Sequence, residues 1–334
     1  MPDPLVSILI VSFNTRDLTL ECLRMLYANL GGVAAEVLVI DNGSPDDSVA
    51  AICRDYPQAG MIVNEMNAGF GAANNRAMEL SRGKYLLLLN SDAFVAPGAI
   101  AALIEYLERH PRVGAAGPRL LNADGSLQIS CFPFPSPVRA WAENLWLPKV
   151  LPHTSRLGDY RRWAHDQEQL VDWVVGACML VRREAYEAVG GFDERFFMYS
   201  EEADWQRRMR NKGWQIGFAP AARVRHLGGA SGASEAANMN RHFFQSLDRY
   251  ELKHHGWSGL ISLRLAMAVG SSLRAILWVG AWILRPRGRS VASAKIRLHA
   301  WLVARQLTHW RKLGRKLDPI PERSDRRSEQ WGIA

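Results

Sequence analysis

KYLLLLNSDAFV, residues 84–95, is the stretch that decides the fold. The four consecutive leucines at 86–89 favour a strand that is buried on both faces, because a strand with one wet face would alternate apolar and polar residues. The chain then passes at once to Asn90, Ser91 and Asp92. A core strand that ends on a carboxylate predicts a polar group held at the edge of a sheet.

Strand-like and helix-like segments alternate on both sides of this stretch. Apolar strands that alternate with helices of 10 to 15 residues predict an α/β fold, with a mostly parallel sheet covered by helices on both faces. The pattern resumes after a less regular, Pro- and Trp-rich segment at 121–170, which we interpret as an insertion or lid. The predicted strands are 5–11, 36–40, 61–64, 84–89 and 171–181, and the predicted helices are 17–30, 70–81, one from Pro97, 201–212 and 234–255.

Three of the predicted parallel strands end in polar or aromatic residues. They lead into Phe13 and Asn14, into Asp41, and into the Asn90–Asp92 triplet. Ligands of open α/β sheets bind outside the carboxyl ends of the strands, so this convergence predicts a binding crevice. Asp92 suits Mg²⁺ or Mn²⁺ as a hard oxygen ligand, although Asp41 and Asp92 could equally cap turns or helices.

Three further features add chemistry to this predicted crevice. Asn67 lies in a Gly-rich turn that enters a helix, where backbone N–H groups favour an anion. Glu201, Glu202 and Asp204 crowd three carboxylates into four positions, which would raise at least one pKa and suit a general base. The alternative for these acids is a favourable position at a helix N-terminus. His226 precedes Gly-Gly-Ala-Ser, a backbone flexible enough to bring its ring to a cleft.

The basic residues are concentrated in one part of the chain. Of the 41 Lys and Arg residues, thirteen lie between residues 252 and 317, where there is no Asp or Glu; the remaining 28 face 33 acidic residues. This distribution does not indicate a nucleic-acid partner. The four cysteines are scattered and are expected to be reduced thiols of a cytosolic protein, and the N-terminus does not have the pattern of a signal peptide.

Residues 257–316 combine apolar and basic side chains. The segment 259–284 is apolar but contains Arg264 and Arg274, and its longest charge-free run is too short to cross a bilayer, which needs about 20 apolar residues. We expect 257–316 to lie in an anionic membrane interface, with an apolar stripe made by Ile296, Ala300, Val303, Leu307 and Trp310. Alternatively, 259–284 packs on the catalytic domain or mediates a homo-oligomer.

Six motifs in order resemble glycosyltransferase family 2, the inverting nucleotide-sugar transferases of the GT-A fold. The resemblance covers about residues 5–230, which implies a catalytic domain over 1–232 and a C-terminal helical region over 233–334. RHFFQSLDRYELKHHG (241–256) is similar to the rhamnosyltransferase-like bacterial members. The six motifs are SILIVSFN (7–14), VIDNGSPDDS (39–48), NAGFGAANNRA (67–77), LLLNSDAFV (87–95), GGFDERFFMYSEEADWQRRMRNKGW (190–214) and HLGGAS (226–231).

The resemblance also implies roles for individual residues. Asp92 matches the last acid of the family's Asp-x-Asp metal motif, whose first acid is here Asn90, and His226 is similar to a histidine that completes the metal site in some members. Glu202 takes the position of the usual base, with Asp204 and Glu201 as alternates. The nucleotide-binding residues are expected to be Phe13, Asn14, Asp41, Asn67, Asn90, Ser91 and Asp92.

The expected activity is that of an inverting enzyme of bacterial surface polysaccharide synthesis, bound peripherally to the inner face of the cell membrane. It would use Mg²⁺ or Mn²⁺ and move a sugar such as rhamnose from a dTDP- or UDP-linked donor to a saccharide or polyprenyl-linked acceptor. A sugar-nucleotide pyrophosphorylase would instead need a Gly-rich basic loop after the first strand, and SFNTRD (12–17) is not one. A polyprenyl-phosphate glycosyltransferase and a non-catalytic sugar-nucleotide-binding scaffold are also compatible with these motifs.

Overall fold

A computed structural model describes residues 3–151, 163–228 and 236–308 of the chain. In the first 110 residues it has each strand and helix listed above, shifted by at most two or three residues at the ends, together with the helix α2 and the short strand β5. These elements are β1 (Val6–Ser12), α1 (Arg16–Ala28), β2 (Ala35–Asp41), α2 (Ser48–Asp55), β3 (Gly60–Val63), α3 (Phe70–Leu80), β4 (Tyr85–Asn90), β5 (Ala93–Val95) and α4 (Ala99–Arg109).

The second half is less regular, and the strand predicted over 171–181 is divided into three. Its middle is a turn at 175–177, where Gly176 lies against the Phe70 ring and the Cβ atom of Glu202. The elements that follow are β6 (Val113–Leu121), β7 (Leu127–Gln128), β8 (Cys131–Phe132), α5 (Pro137–Asn144), α6 (Leu147–Val150), β9 (Gln169–Val171), β10 (Trp173–Val174), β11 (Cys178–Arg182), α7 (Arg183–Val189), α8 (Glu201–Asn211), β12 (Gln215–His226), α9 (Ala236–Leu284) and α10 (Arg289–Thr308).

The main sheet has the strand order β3-β2-β1-β4-β11-β6-β12-β5. β3, β2, β1 and β4 are parallel to their neighbours. β11 runs antiparallel to both β4 and β6, and β12 returns parallel to β6. The sheet is therefore mixed but mostly parallel, as predicted.

Helices cover both faces of this sheet. The leucines of β4 alternate between the two cores, with Leu87 and Leu89 in one and Leu86 and Leu88 in the other, and none of the four is more than 2% exposed. The first core includes side chains of α1, α2 and α4, and the second includes side chains of α3, α7 and α8. The unbroken run of leucine follows from this burial on both sides.

α9 bends at Gly256, whose φ of +66° is not helical. Before the bend the helix packs on the catalytic unit: Ser246 donates to the carbonyl of Met198, and Lys253 and His254 contact Asp204. The direction and the packing of α9 thus change at Gly256. The predicted domain boundary at 232/233 lies outside the described residues.

Beyond Gly256, one side of α9 packs on protein. Arg264 is buried in an ion pair with Asp248 at 2.8 Å, and Arg274 lies 4.6 Å from the centre of the Trp146 ring. Among the described residues, the helix segment Arg241–Leu284 is long and apolar enough to cross a membrane by length and composition alone. On α10, Ala300 and Leu307 are exposed while Ile296 and Val303 are half-buried; Trp310 of the predicted stripe lies outside the described residues.

Candidate active site

The carboxyl ends of β1, β2 and β4 lie at the same level of the sheet. Ser12 on β1 is paired with Asp41 on β2, and Val11 is paired with Asn90 on β4. Parallel pairing therefore brings the three polar strand ends to one edge, where the sequence predicted a crevice.

Asp41 is buried but keeps one oxygen free of protein partners. Its Oδ1 accepts a hydrogen bond from the Ser44 backbone N–H at 2.8 Å, while its Oδ2 is buried with no hydrogen-bond partner. The Ser44 hydroxyl in turn accepts from the backbone N–H of Asn14, an exposed residue with φ of +53° beside the half-buried Phe13. A buried acceptor without a donor is costly unless something supplies one, so Asp41 suits a ligand N–H or O–H group.

Asn42, to which no sequence pattern pointed, organises the neighbouring turn. Its Nδ2 donates to Asn67 Oδ1 at 2.8 Å, and its Oδ1 accepts from Asn64 Nδ2 and from the Ala68 backbone. Asn67 Oδ1 also accepts from the Gly69 N–H at 3.0 Å. Asn67 thus holds the turn before α3, and its contact with a nucleotide stays a prediction.

The Asn90–Asp92 triplet points its members in different directions. Ser91 is buried, and its hydroxyl lies 3.1 Å from that of Thr15 in a cluster with Ser12 and Thr19. Asn90 and Asp92 instead face His226, which β12 brings beside β5. Ser91 therefore holds the loop to Thr15, while its two neighbours lie beside His226.

Asp92 and His226 form a close pair of potential metal ligands. Asp92 Oδ1 lies 3.3 Å from His226 Nε2, and Asn90 Nδ2 lies 3.5 Å from the same nitrogen. The described residues contain no group of three or more His, Cys, Asp and Glu side chains that could hold a metal. Carboxylate oxygen and imidazole nitrogen nonetheless fit Mn²⁺ or Mg²⁺, whose remaining ligands would be water and substrate phosphate.

Glu201 and Glu202 begin α8 after two strained residues. Tyr199 and Ser200 have φ values of +68° and +66°, a left-handed backbone that is unusual for side-chain-bearing residues. The Oε2 atoms of both glutamates are buried without hydrogen-bond partners. The backbone thus directs two adjacent acids to buried positions where one oxygen of each carboxylate has no protein donor.

Burial changes the proton affinity of both glutamates. It raises the pKa of Glu202 to about 6, and hydrogen bonds from backbone N–H groups, including that of Gly176, limit the rise. Burial, together with the charge of Glu202, raises the pKa of Glu201 well above its usual value. A carboxylate with a pKa just below neutrality can accept a proton at physiological pH.

Asp204, the third acid of the cluster, is committed to other contacts. Its carboxylate lies within 2.9 Å of Arg208 on α8 and within 2.8 Å of Lys253 and His254 on α9. Burial alone would raise its pKa, but the His254 hydrogen bond and the two cations lower it. Asp204 therefore fastens α8 to α9, which favours Glu202 and Glu201 over Asp204 as the base.

Two contacts link the acidic cluster to the strand edge. The Asn90 N–H donates to the carbonyl of Ala177 at 2.9 Å, and the adjacent Gly176 touches Glu202. On the other side, the Phe70 N–H donates to the carbonyl of Phe197 at 3.0 Å, and a Cβ atom on Gly69 would lie only 2.5 Å from that carbonyl. The turn at 175–177 and the 192–197 segment thus place α8 beside the ends of β4 and α3.

The sequence model described as "Glycosyl transferase family 2" matches residues 7–190, which include Asp41 and Asp92. The chain belongs to glycosyl transferase family 2. Its membership makes it a glycosyltransferase enzyme, and the mixed sheet with helices on both faces is the expected GT-A architecture.

Curated relatives of this family-2 chain include two rhamnosyltransferases. It is 33% identical to the N-acetylglucosaminyl-diphospho-decaprenol L-rhamnosyltransferase of Mycobacterium tuberculosis, over 71% of this chain and 84% of the relative. It is 28% identical to rhamnosyltransferase WbbL of Escherichia coli K12, over 75% of this chain and 90% of the relative. The chain thus resembles these rhamnosyltransferases along most of their length.

Solved structures show the same fold at low sequence identity. The mannosyltransferase PcManGT from Pyrobaculum calidifontis, in complex with GDP-Man and Mn²⁺, has a TM-score of 0.52 and 18% identity, covering 93% of this chain and 88% of its own. GalNAc-T7, with UDP, GalNAc and Mn²⁺, has a TM-score of 0.53 and 16% identity, covering 75% of this chain and 48% of its own. Both similarities concern the fold.

Proposed function

We propose that this protein is an inverting glycosyltransferase of bacterial surface polysaccharide synthesis. It would move a sugar, with rhamnose as the first choice, from a dTDP- or UDP-linked donor to a polyprenyl-linked or other saccharide acceptor. The names of the two rhamnosyltransferase relatives support this choice of sugar, and the Mycobacterium relative's name supports a lipid-linked acceptor. The observation that carries the proposal is that two acids on α8, each with one buried oxygen that lacks a protein partner, adjoin the strand edge that holds Asp92 and His226.

The donor nucleotide would occupy the ends of β1 and β2. Asp41 Oδ2, which has no hydrogen-bond partner in the protein, would accept from a base or ribose donor, with Phe13 and Asn14 at the end of the neighbouring strand. Asn67 shapes the Gly-rich turn on the other side. This arrangement orients the donor sugar toward the end of β4.

Asp92 and His226, with Asn90 beside them, would hold a divalent cation. When bound there, Mg²⁺ or Mn²⁺ supplies positive charge that neutralises the departing diphosphate. Since only the Asp92–His226 pair is supplied by the described residues, the diphosphate itself completes the ligand set in this proposal.

Glu202 would act as the general base. Its Oε2 accepts the proton of an acceptor hydroxyl while the hydroxyl oxygen bonds to the anomeric carbon and the bond from that carbon to the diphosphate breaks. Attack from the face opposite the diphosphate inverts the configuration, and no covalent intermediate with the protein is needed. Fixed positions of the two reactants and the base each lower the barrier.

The place of action in this proposal is the inner face of the cell membrane, with the catalytic unit in the cytoplasm. A polyprenyl-linked acceptor, or a polyprenyl phosphate, is tethered to the bilayer, so the enzyme must work at its surface. The acid-free basic segment 252–317 supports attraction to anionic lipid.

A nucleotide-sugar screen tests the proposed function. We expect dTDP- or UDP-linked sugars to stabilise the protein, by about 2.7 kcal/mol at a hundredfold excess over Kd, and Mn²⁺ to enlarge the effect. Thermal shifts with and without Mn²⁺ would identify the donor, and product analysis with a lipid-linked acceptor would then show transfer with inversion. Stabilisation without any transfer would favour a sugar-nucleotide-binding scaffold and overturn the enzymatic proposal for this site.

A further inference from the structure

An apolar ridge runs along α9 beyond Gly256. Exposed apolar side chains recur there every three or four residues, which places them on one face of the helix. At 1.5 Å per residue the ridge is about 39 Å long. Its members are Trp257, Ile261, Leu265, Val269, Leu273, Ile276, Val279 and Ile283.

No charged side chain interrupts the ridge. The two arginines of this half of α9 point elsewhere: Arg264 is buried against Asp248, and Arg274 stacks on the Trp146 ring. In the sequence both arginines look like breaks in the apolar segment, but the fold turns both toward protein. The exposed side chains on this half of α9 are apolar, apart from Ser258 and Ser272.

Neighbouring helices expose further apolar residues. α5 packs on α9, with Trp141 Nε1 donating to Ser262 Oγ at 3.0 Å and Asn144 lying against Gly270. Exposed apolar residues follow on α5, α6 and α10. They are Val138, Leu145, Leu147, Val150, Val291, Leu298 and Trp301.

Positive charge accompanies the apolar surface. The exposed basic residues after the ridge are Arg285, Arg287, Arg289, Lys295 and Arg297. No Asp or Glu occurs from residue 252 to 317. A second copy of this chain would bring a like-charged segment to the interface, whereas anionic lipid is complementary to it.

We propose that the α9 ridge docks on an anionic bilayer and lies in the plane of the interface. Soluble monomers rarely expose apolar patches larger than a few hundred Å². Spanning is disfavoured because α5 and α10 pack on α9 and carry charged groups, the pair Arg139–Glu143 on α5 and Arg305 on α10. The part of α9 before Gly256 holds α8 through Lys253, His254 and Asp204, so docking would also set the height of the catalytic acids above the lipid.

Vesicle flotation of the full chain tests the ridge independently of sugar transfer. The double variant Leu265→Glu, Ile276→Glu changes two exposed ridge residues, and Leu80→Glu changes an equally exposed residue on α3. Wild type and Leu80→Glu should float with vesicles of phosphatidylcholine and phosphatidylglycerol in equal parts, and poorly with phosphatidylcholine alone. The ridge variant should lose at least about tenfold in bound fraction, since each buried glutamate opposes insertion and is repelled by anionic lipid.

Four outcomes would overturn the ridge proposal. The ridge variant could float like wild type, or wild type could fail to bind anionic vesicles. The protein could resist extraction by high salt and alkaline carbonate, which would indicate a spanning helix. The ridge variant could convert a dimer to a monomer in solution without changing flotation, which would assign the face to a second copy.

A separate set of contacts concerns Gln128 on β7. Its Oε1 lies 2.7 Å from His226 Nδ1, while its Nε2 donates to Asn122 Oδ1 at 3.0 Å and to the His226 carbonyl at 3.2 Å. The two carbonyl acceptors define which end of the Gln128 amide is nitrogen. Oε1 must therefore accept from Nδ1, which in the neutral imidazole leaves the His226 Nε2 lone pair facing Asp92.

We infer that Gln128 is a positioning residue that keeps His226 in the tautomer suited to bind a cation. This inference rests on one part of the proposed function, namely that Asp92 and His226 hold the divalent ion. Partners of the non-ligating nitrogen fix the tautomer and ring orientation of metal-binding histidines, and their loss lowers metal affinity by about 10–100-fold.

Mn²⁺ binding to the full chain, measured by calorimetry, tests Gln128. Gln128→Leu should weaken binding about 10–100-fold, while Gln58→Leu, a matched change at an exposed glutamine, should not. In ¹⁵N NMR, wild-type His226 should carry its proton on Nδ1, and Gln128→Leu should show mixed tautomers. If His226→Ala weakens Mn²⁺ binding but Gln128→Leu changes neither measurement, the Gln128 inference fails and the proposed metal pair stands. If His226→Ala has no effect on Mn²⁺ binding, both the proposed metal pair and the Gln128 inference fail.

Discussion

Glu202→Gln is expected to lower kcat for sugar transfer by about 10²–10⁴-fold, the usual contribution of a positioned general base. The amide has the same shape but cannot accept the proton of the acceptor hydroxyl. Binding of the nucleotide sugar should change little, because in our proposal Glu202 does not contact the donor nucleotide. Steady-state kinetics and calorimetry on the same protein preparation would separate the two effects.

The same substitution should change the pH profile of transfer. Glu202 acts as a base only when it is ionised, and burial raises its pKa to about 6. For the wild type, kcat should therefore rise with pH through about 6 and level off above it. Glu202→Gln should lack this rise.

Two neighbouring acids provide controls for Glu202. Glu201→Gln replaces a buried acid whose raised pKa favours its neutral form, so it should retain most of the activity. Asp204→Asn removes one partner from a buried ion-pair cluster and should destabilise the fold by about 3–5 kcal/mol. If Glu201→Gln abolished transfer and Glu202→Gln preserved it, the base would be Glu201.

The strand edge of this site could be predicted from the sequence because its signals are local. The leucine run before Asn90 and the apolar run before Asp41 each predict a buried strand with a polar residue at its carboxyl end. Parallel pairing of the strands then places these polar residues at one edge of the sheet, independently of the rest of the fold. The orientation within the triplet does not follow in this way, because Ser91 and Asp92 form the turn between β4 and β5. The sequence alone predicts that Ser91 lines the site with Asn90 and Asp92, whereas its hydroxyl lies beside that of Thr15.

The parts that could not be predicted depend on contacts between distant residues. Gln128 lies 98 residues before His226, and no pattern around either one indicates the pairing. Asp204 looks like a catalytic acid until α9 brings Lys253 and His254 to it. In the sequence, Arg264 likewise looks like an interruption of an apolar helix. In the fold, its charge is compensated by a buried ion pair with Asp248.

The prediction of next largest effect concerns Asp92. Asp92→Ala should lower kcat/KM by about 10²–10³-fold, since a metal-bound leaving group is stabilised by several kcal/mol and each 1.36 kcal/mol is about tenfold in rate. Unlike Glu202→Gln, it should weaken Mn²⁺ binding and nucleotide-sugar binding together, because the carboxylate is the only charged ligand of the proposed pair. Calorimetric titration with Mn²⁺, followed by the nucleotide sugar, measures both losses.

Ser91→Ala is the matched control for Asp92→Ala. Ser91 is the neighbouring buried residue, and its hydroxyl faces Thr15 instead of the crevice, so its removal should leave Mn²⁺ affinity unchanged. His226→Ala should reproduce the loss of Mn²⁺ binding, since its Nε2 lies 3.3 Å from the Asp92 carboxylate. Full Mn²⁺ affinity in both Asp92→Ala and His226→Ala would show that the cation binds elsewhere. In that case only Asn90 and backbone groups at the end of β4 would be left to bind the diphosphate.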